Sequence, residues 1–282
     1  MNTPRSCKRI LMLLAAAAVV PPVWGHARWV LLSHSVLSGG LPQVVSVDAS
    51  ISNELFYPDL PFGGRPLPES AARPGPQVHL RVDPPEGAPE PVVLWQTARR
   101  SIADVPLTEA GTHRVRLEQA PVVIQRYRGA DGRTGRVFGP PGRAALPEGA
   151  ERLETFRYRA AAEAYVSIDG FSPPPVDREG LAVEWLDHPN QAFVGERTCL
   201  TVLFDARPLP GVGLLATPEG TRARNARAAV ALETDAHGRA CIEWPRAGRW
   251  LIEVEHAQTA GPDADVDVER RALFVTVEVQ PE

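Results

Sequence analysis

The stretch TDAHGRACIEWPRAGRWLIEVEH, residues 234–256, decides the fold. Asp235 and Gly238 suit a tight hairpin turn, and Gly248 suits a second one. Aspartate closes such turns onto its own backbone, and glycine takes the left-handed conformations they need. Between the turns Ile242 and Trp244 share a face. After the second turn Trp250, Ile252 and Val254 share a face that His256 continues at the strand end, leaving Glu253 and Glu255 on the opposite, outward parity. A period of two between glycine-bearing turns is the pattern of antiparallel sheet.

The same pattern extends through the chain. Leu181, Val183 and Trp185 share one parity, as do Leu200, Val202 and Phe204, and again Leu273, Val275, Val277 and Val279. In the first half, Val45, Val47, Ala49 and Ile51 alternate with Ser46, Asp48 and Ser50, and further strands are expected at 29–32, 78–82, 92–95, 112–117, 122–127 and 165–169. Residues 57–76 and 129–147, rich in Pro, Gly and Arg, read as loops, and residues 151–164 as a helical piece. Helical periodicity is otherwise scarce, and 29 prolines with 23 glycines punctuate short β-branched runs, so the expected class is all-β. Phe171-Ser172-Pro173-Pro174-Pro175 cannot enter a sheet interior and favours a stiff extended path. The expected organisation is therefore an irregular N-terminal β domain over 26–170, a Pro-rich linker over 171–179, and an Ig-like or transthyretin-like sandwich over 180–282.

Residues 1–25 have the build of a signal peptide: Arg5, Lys8 and Arg9 without an acid, then an apolar Ala-rich run, then Pro21-Pro22 and small residues. Such a run is too short to span a bilayer, and none later is long enough, so the mature chain is expected to be periplasmic or secreted without a membrane span. The formal net charge of −4 becomes more negative once the leader's basic residues leave. An acidic exported chain is a poor partner for nucleic acid. Cys7 leaves with the leader. Cys199 and Cys241 remain, both in expected strands and both on the parity opposite to their apolar neighbours. A disulfide between them stays open, since the pattern does not supply their Cα separation.

Residues 234–256, preceded by FDARPLPGV at 204–212, resemble the repeated pattern of carboxypeptidase-regulatory-like sandwich domains. With the leader-His26-x-x-Trp29 opening, PLTEAGTHRV at 106–115 and the terminal strand ALFVTVEV at 272–279, the chain resembles an exported bacterial family of unknown function. Its members carry the label of nickel-uptake substrate-specific components. The resemblance implies Ni(II) as cargo and a membrane uptake permease or another exported protein as partner, and it matches a histidine that recurs at the position of His256.

Two histidines are candidate ligands. Cleavage after Gly25 makes His26 the mature terminus, whose α-amine and Nδ1 can chelate one metal, and imidazole suits Ni(II), Cu(II) and Zn(II). Gly25-His26-Ala27 equally permits cleavage after Ala27, which removes the ligand, and a frayed terminal histidine needs no function. His256, at the rim of a core, is the expected second ligand, against a purely structural rim histidine. His34 is too far along an extended strand, and His79, His113, His188 and His237 lack neighbours at ligand spacing. The alternating acids of 261–269 lack the glycine and closing glutamate of an EF-hand and read as a solvated acidic hairpin. No Gly-x-Ser-x-Gly elbow, phosphate-cradling loop or HExxH helix is present. The expected function is a non-catalytic exported binding protein that chelates a transition metal through His26. The alternative is an adhesion or scaffold sandwich that binds a protein or glycan partner without metal.

Overall fold

The computed structural model describes residues 26–63 and 77–282, so the leader lies outside the described residues, as does most of the 57–76 loop. The strands in chain order are β1 (Ala27–Leu32), β2 (Val36–Leu37), β3 (Gln43–Ser52), β4 (Leu60–Pro61), β5 (Val78–Asp83), β6 (Glu90–Val92), β7 (Trp95–Gln96), β8 (Ser101–Leu107), β9 (Gly111–Arg128) and β10 (Thr134–Phe138). After them come β11 (Glu151–Ile168), β12 (Leu181–Trp185), β13 (Arg197–Phe204), β14 (Arg207–Pro208), β15 (Gly213–Pro218), β16 (Val230–Glu233), β17 (Arg239–Glu243), β18 (Gly248–Thr259) and β19 (Val268–Val279). The fold is all-β, with only two short 3-10 turns beside the strands among the described residues. No helix there is long and apolar enough to cross a membrane.

Three sheets stack. A ten-stranded central sheet has the path β16-β15-β18-β19-β11-β9-β5-β6, a five-stranded outer sheet holds β1, β3, β4, β7 and β8, and a four-stranded outer sheet holds β12, β13, β14 and β17. The five-stranded sheet covers one face of the central sheet through a first core that includes Trp29, Val47, Val105, Leu117, Ala162 and Phe274. The four-stranded sheet covers the other face through a second core that includes Leu200, Ile242, Trp244, Trp250, Ile252 and Leu273. Alternate residues of β11, β18 and β19 therefore enter different cores: Leu251 and Phe274 the first, Trp250, Ile252 and Leu273 the second.

This arrangement amends the expected organisation. Residues 171–179 are free of strands, but the halves on either side are not separate bodies, because β11 pairs in parallel with β19 from Phe156↔Val268 to Ala164↔Thr276. The two sandwiches share their middle sheet. Residues 151–164 form strand, not helix. Ala160, Ala162 and Ala164 face the first core and Ala161 the second, so small side chains on both faces let the outer sheets approach. The expected strands at 112–117 and 122–127 are one strand, β9, in which the pairing with β11 shifts around Ala120 and Pro121. That bulge removes the need for a proline N–H in the ladder. Residues 134–138 pair with β9 instead of forming loop.

The turn reading of the opening stretch is matched in detail. Asp235 Oδ1 accepts from His237 N at 2.8 Å and Arg239 N at 2.9 Å, and Gly238, at φ +72°, donates to Asp235 O at 2.9 Å. A Cβ on Gly238 would lie 2.8 Å from Leu209 N.

Candidate functional site

β1 starts against the core: Ala27 is 1% exposed and pairs with Ser52. His26 is exposed at this anchored strand end. Arg28 ties the end down, donating to the His26 carbonyl at 3.1 Å and to Tyr158 Oη at 3.2 Å, with its guanidinium 5.2 Å from the Tyr158 ring and 5.8 Å from the Phe274 ring. Phe274 and Tyr158 belong to the first core.

His256 belongs to the other side. Its ring lies 4.8 Å from Phe204, a residue packed on the second core, and its cross-strand neighbour is Arg271. Burial lowers its pKa, and the Arg271 charge lowers it further. The central sheet thus stands between His256 and the β1 terminus, and the structure does not bring His26 and His256 together. Parity alone could not show this, because His256 continues the face of Val254 while Arg28, beside His26, stacks on the opposite face.

Among the described residues no group of three or more His, Cys, Asp or Glu could hold a metal ion. His34, His79 and His237 are exposed. His188 is structural: its Nδ1 accepts from Asn190 N at 3.2 Å, its Nε2 meets Thr112 Oγ1 at 2.8 Å, and burial lowers its pKa. His113 is buried with Nδ1 unpartnered and is also lowered by burial. The acids of 261–269 are engaged rather than simply solvated, since Arg157 pairs with Asp265 and Glu269 and Asp267 accepts from Thr155 N at 2.7 Å.

Cys199 and Cys241 are direct cross-strand partners of β13 and β17, with a Cα separation of 4.0 Å, and they form a disulfide. It lies on the four-stranded sheet, away from either histidine's own strand.

Glu253 and Glu255, expected to point to solvent, do not. They share the parity of Leu251, which faces the first core, and Glu253 is 1% exposed with Oε1 unpartnered. Burial pushes its carboxyl up to about 7, with Arg227 opposing and Glu255 adding. Burial also raises Glu255, against the charges of Arg270 and Arg28.

A buried network of arginines and carboxylates has no distinct signature in the sequence. Arg81, Arg114 and Arg116, on the face of β5 and β9 turned away from the first core, converge on Asp177 of the Pro-rich segment at 2.8, 2.7 and 3.2 Å. Arg116 also binds Glu163 at 2.5 Å, Arg114 pairs with Asp83, and Tyr165 donates to Glu163 at 2.8 Å. Burial alone would lower the Arg114 and Arg116 guanidiniums, but the surrounding carboxylates, Glu163 foremost, raise both. Burial would raise Asp177, yet Arg116 and Arg114 hold it below the usual carboxylate range. The alternation Arg114-x-Arg116-x-Glu118 is visible in the sequence, but an ordinary solvated strand face looks the same. In front of this network opens a polar cleft of about 740 Å³, bounded by Arg159 and Arg271 of the central sheet and by Asp177, Arg178 and Asp205.

A family model for a domain of unknown function, DUF4198, matches residues 23–258. Among solved structures, the Yersinia pseudotuberculosis adhesin InvE is 13% identical with a TM-score of 0.22, and the match covers 88% of this chain and 58% of that one. The D0-D1 domain of intimin is 11% identical with a TM-score of 0.20, covering 88% and 96%. Red sea bream transglutaminase is 14% identical with a TM-score of 0.21, covering 90% and 31%. Superpositions this poor carry no functional argument. No curated protein matches the chain.

Proposed function

The chain belongs to the DUF4198 family, and on that premise we propose that it is an exported, non-catalytic binding protein. In this reading, leader removal exposes His26, whose α-amine and Nδ1 capture a transition metal, Ni(II) foremost with Cu(II) or Zn(II) as competitors. The metal is then presented to a membrane uptake permease or another exported protein. One observation carries the reading: His26 stands on an anchored strand end, because Ala27 beside it is buried and paired with Ser52. A fixed terminus presents both donors together, which a frayed one does not. The donors are nitrogen, suited to borderline metals, and both must be deprotonated to bind. Two donors from one residue leave coordination positions for solvent or for the receiving protein, which suits cargo that must leave again. The Cys199–Cys241 disulfide accords with an oxidising compartment.

The test is calorimetric titration of the exported protein with Ni(II) and Cu(II), after intact-mass measurement of its terminus. His26→Ala and an extra N-terminal residue should each weaken binding by about tenfold or more. Unchanged binding in both rejects the chelating terminus.

The adhesion or scaffold alternative is favoured by a different observation. The outer face of the five-stranded sheet exposes Trp95 and Ile102, cross-strand neighbours that are 56% and 39% exposed, beside Asp48 and Arg100. Capture of a protein or glycan that persists in chelator and is lost in Trp95→Ala would select this reading over the metal one.

A further inference from the structure

Three basic side chains lie in one row across the second face of the central sheet. His256 on β18 pairs with Arg271 on β19, and Arg271 pairs with Arg159 on β11. Direct cross-strand partners point to the same side, so the row is set by the backbone, and like charges placed this way repel. The arginines deeper in the cleft are neutralised: Arg81 and Arg116 by Asp177 and Glu118. Among the described residues no carboxylate pairs with Arg159 or with Arg271.

Arg271 is also held in place. Its guanidinium lies 4.9 Å from the Phe204 ring, the same ring that packs on His256, and its Nη1 is buried without a hydrogen-bond partner. The buried Nη1 lies on the closed side of this guanidinium, while its outer donors have no carboxylate and stand next to a second unpaired guanidinium, and these can receive planar or tetrahedral oxygens from the cleft. Arg159 and Arg271 both line the 740 Å³ cleft, a volume ample for a small ligand. Opposite them the lining holds Arg178, which pairs with Glu184 at 3.3 Å, Glu179, and Asp205, whose Oδ1 accepts from Gly180 N at 2.8 Å.

We infer that this cleft binds a small oxyanion-bearing ligand, a carboxylate or a phosphate, through the Arg159–Arg271 pair. The ligand's oxygens supply the acceptors that the row lacks, and its charge relieves the repulsion between the two guanidiniums. The site lies on the opposite side of the central sheet from His26, so it is independent of metal capture at the terminus.

Citrate and inorganic phosphate are the probes, each titrated into the full mature protein by calorimetry in chloride buffer with no metal added. At least one should bind at low-millimolar concentration or better. Arg159→Gln, an exposed position, and Arg271→Gln should each weaken that binding about tenfold or more. Arg133→Gln, on a distant exposed loop, should leave it unchanged. Near-ultraviolet circular dichroism checks that each variant is folded, and Arg271→Lys, which keeps charge but loses the fork, substitutes if Arg271→Gln is not. Which probe binds tells carboxylate from phosphate. Binding of neither, equal loss in Arg133→Gln, or retention in folded Arg159→Gln overturns the inference. Because no metal is present, the result is distinct from that of the His26 titration.

Discussion

Glu253 brings a carboxyl into the first core with one oxygen unpartnered. Its folded pKa, about 7, exceeds that of an unfolded glutamate, so the native state holds a proton that the unfolded state releases earlier. Stability is therefore undiminished below the unfolded value, falls as pH rises between the two values, and levels off above about 7. Glu253→Gln keeps the shape and removes the titration. Denaturant unfolding across this range should show wild type losing about 3–4 kcal/mol that the variant retains. A wild-type profile parallel to that of the variant would contradict the buried-acid account. Alternation with Trp250, Ile252 and Val254 suggests an outward residue, but alternation implies a wet side only where a sheet has one.

The same physics divides the elements that could be read from those that could not. The strands β13 and β17 and the turn at Asp235-Gly238 are legible, because each strand sends alternate residues, Leu200 and Val202 or Ala240 and Ile242, into the second core and the turn demands its residue types. β11 was not, since RYRAAAEAY offers good helix formers without an alternating pattern. Its alternation is hidden because alanines meet a core on each side. β8 does not stand out in the sequence although Ser101, Ala103, Val105 and Leu107 alternate cleanly inward, because its first two inward residues are small and Pro106 interrupts it. Of the site, His26 and its exposure were legible. Its separation from His256 was not, because which face β1 approaches is a property of sheet stacking. Ala162→Leu tests the reading of β11. In a solvent-facing helix the exchange is nearly neutral. At a fully buried strand position between two sheets it should cost about 1–3 kcal/mol by overpacking, measured by chemical denaturation.

At the scale of the molecule, the Pro-rich segment is better described as a latch than as a linker. Asp177 draws Arg81, Arg114 and Arg116 together, while β11 and β19 run side by side in the sheet that both sandwiches use. Neither sandwich can lose its share of that sheet without exposing the other's core: Leu251 and Phe274 line the first while Trp250 and Leu273, their chain neighbours, line the second. Two sandwiches joined only by a flexible connector would melt separately. Shared strands require them to melt together, so calorimetry should show one transition with equal calorimetric and van't Hoff enthalpies. Asp177→Asn leaves three converging arginines without their common counter-charge, two of them buried, and should lower stability by about 2–4 kcal/mol. Because Asp177 is held below the usual carboxylate range, the wild-type advantage should be full near neutral pH and vanish in acid as the carboxylate is protonated. The variant should still melt in one step, since the sheet remains continuous. A second transition appearing only in the variant would mean that the halves are coupled by the latch and not by the strands they share, and one already present in wild type would mean that neither couples them.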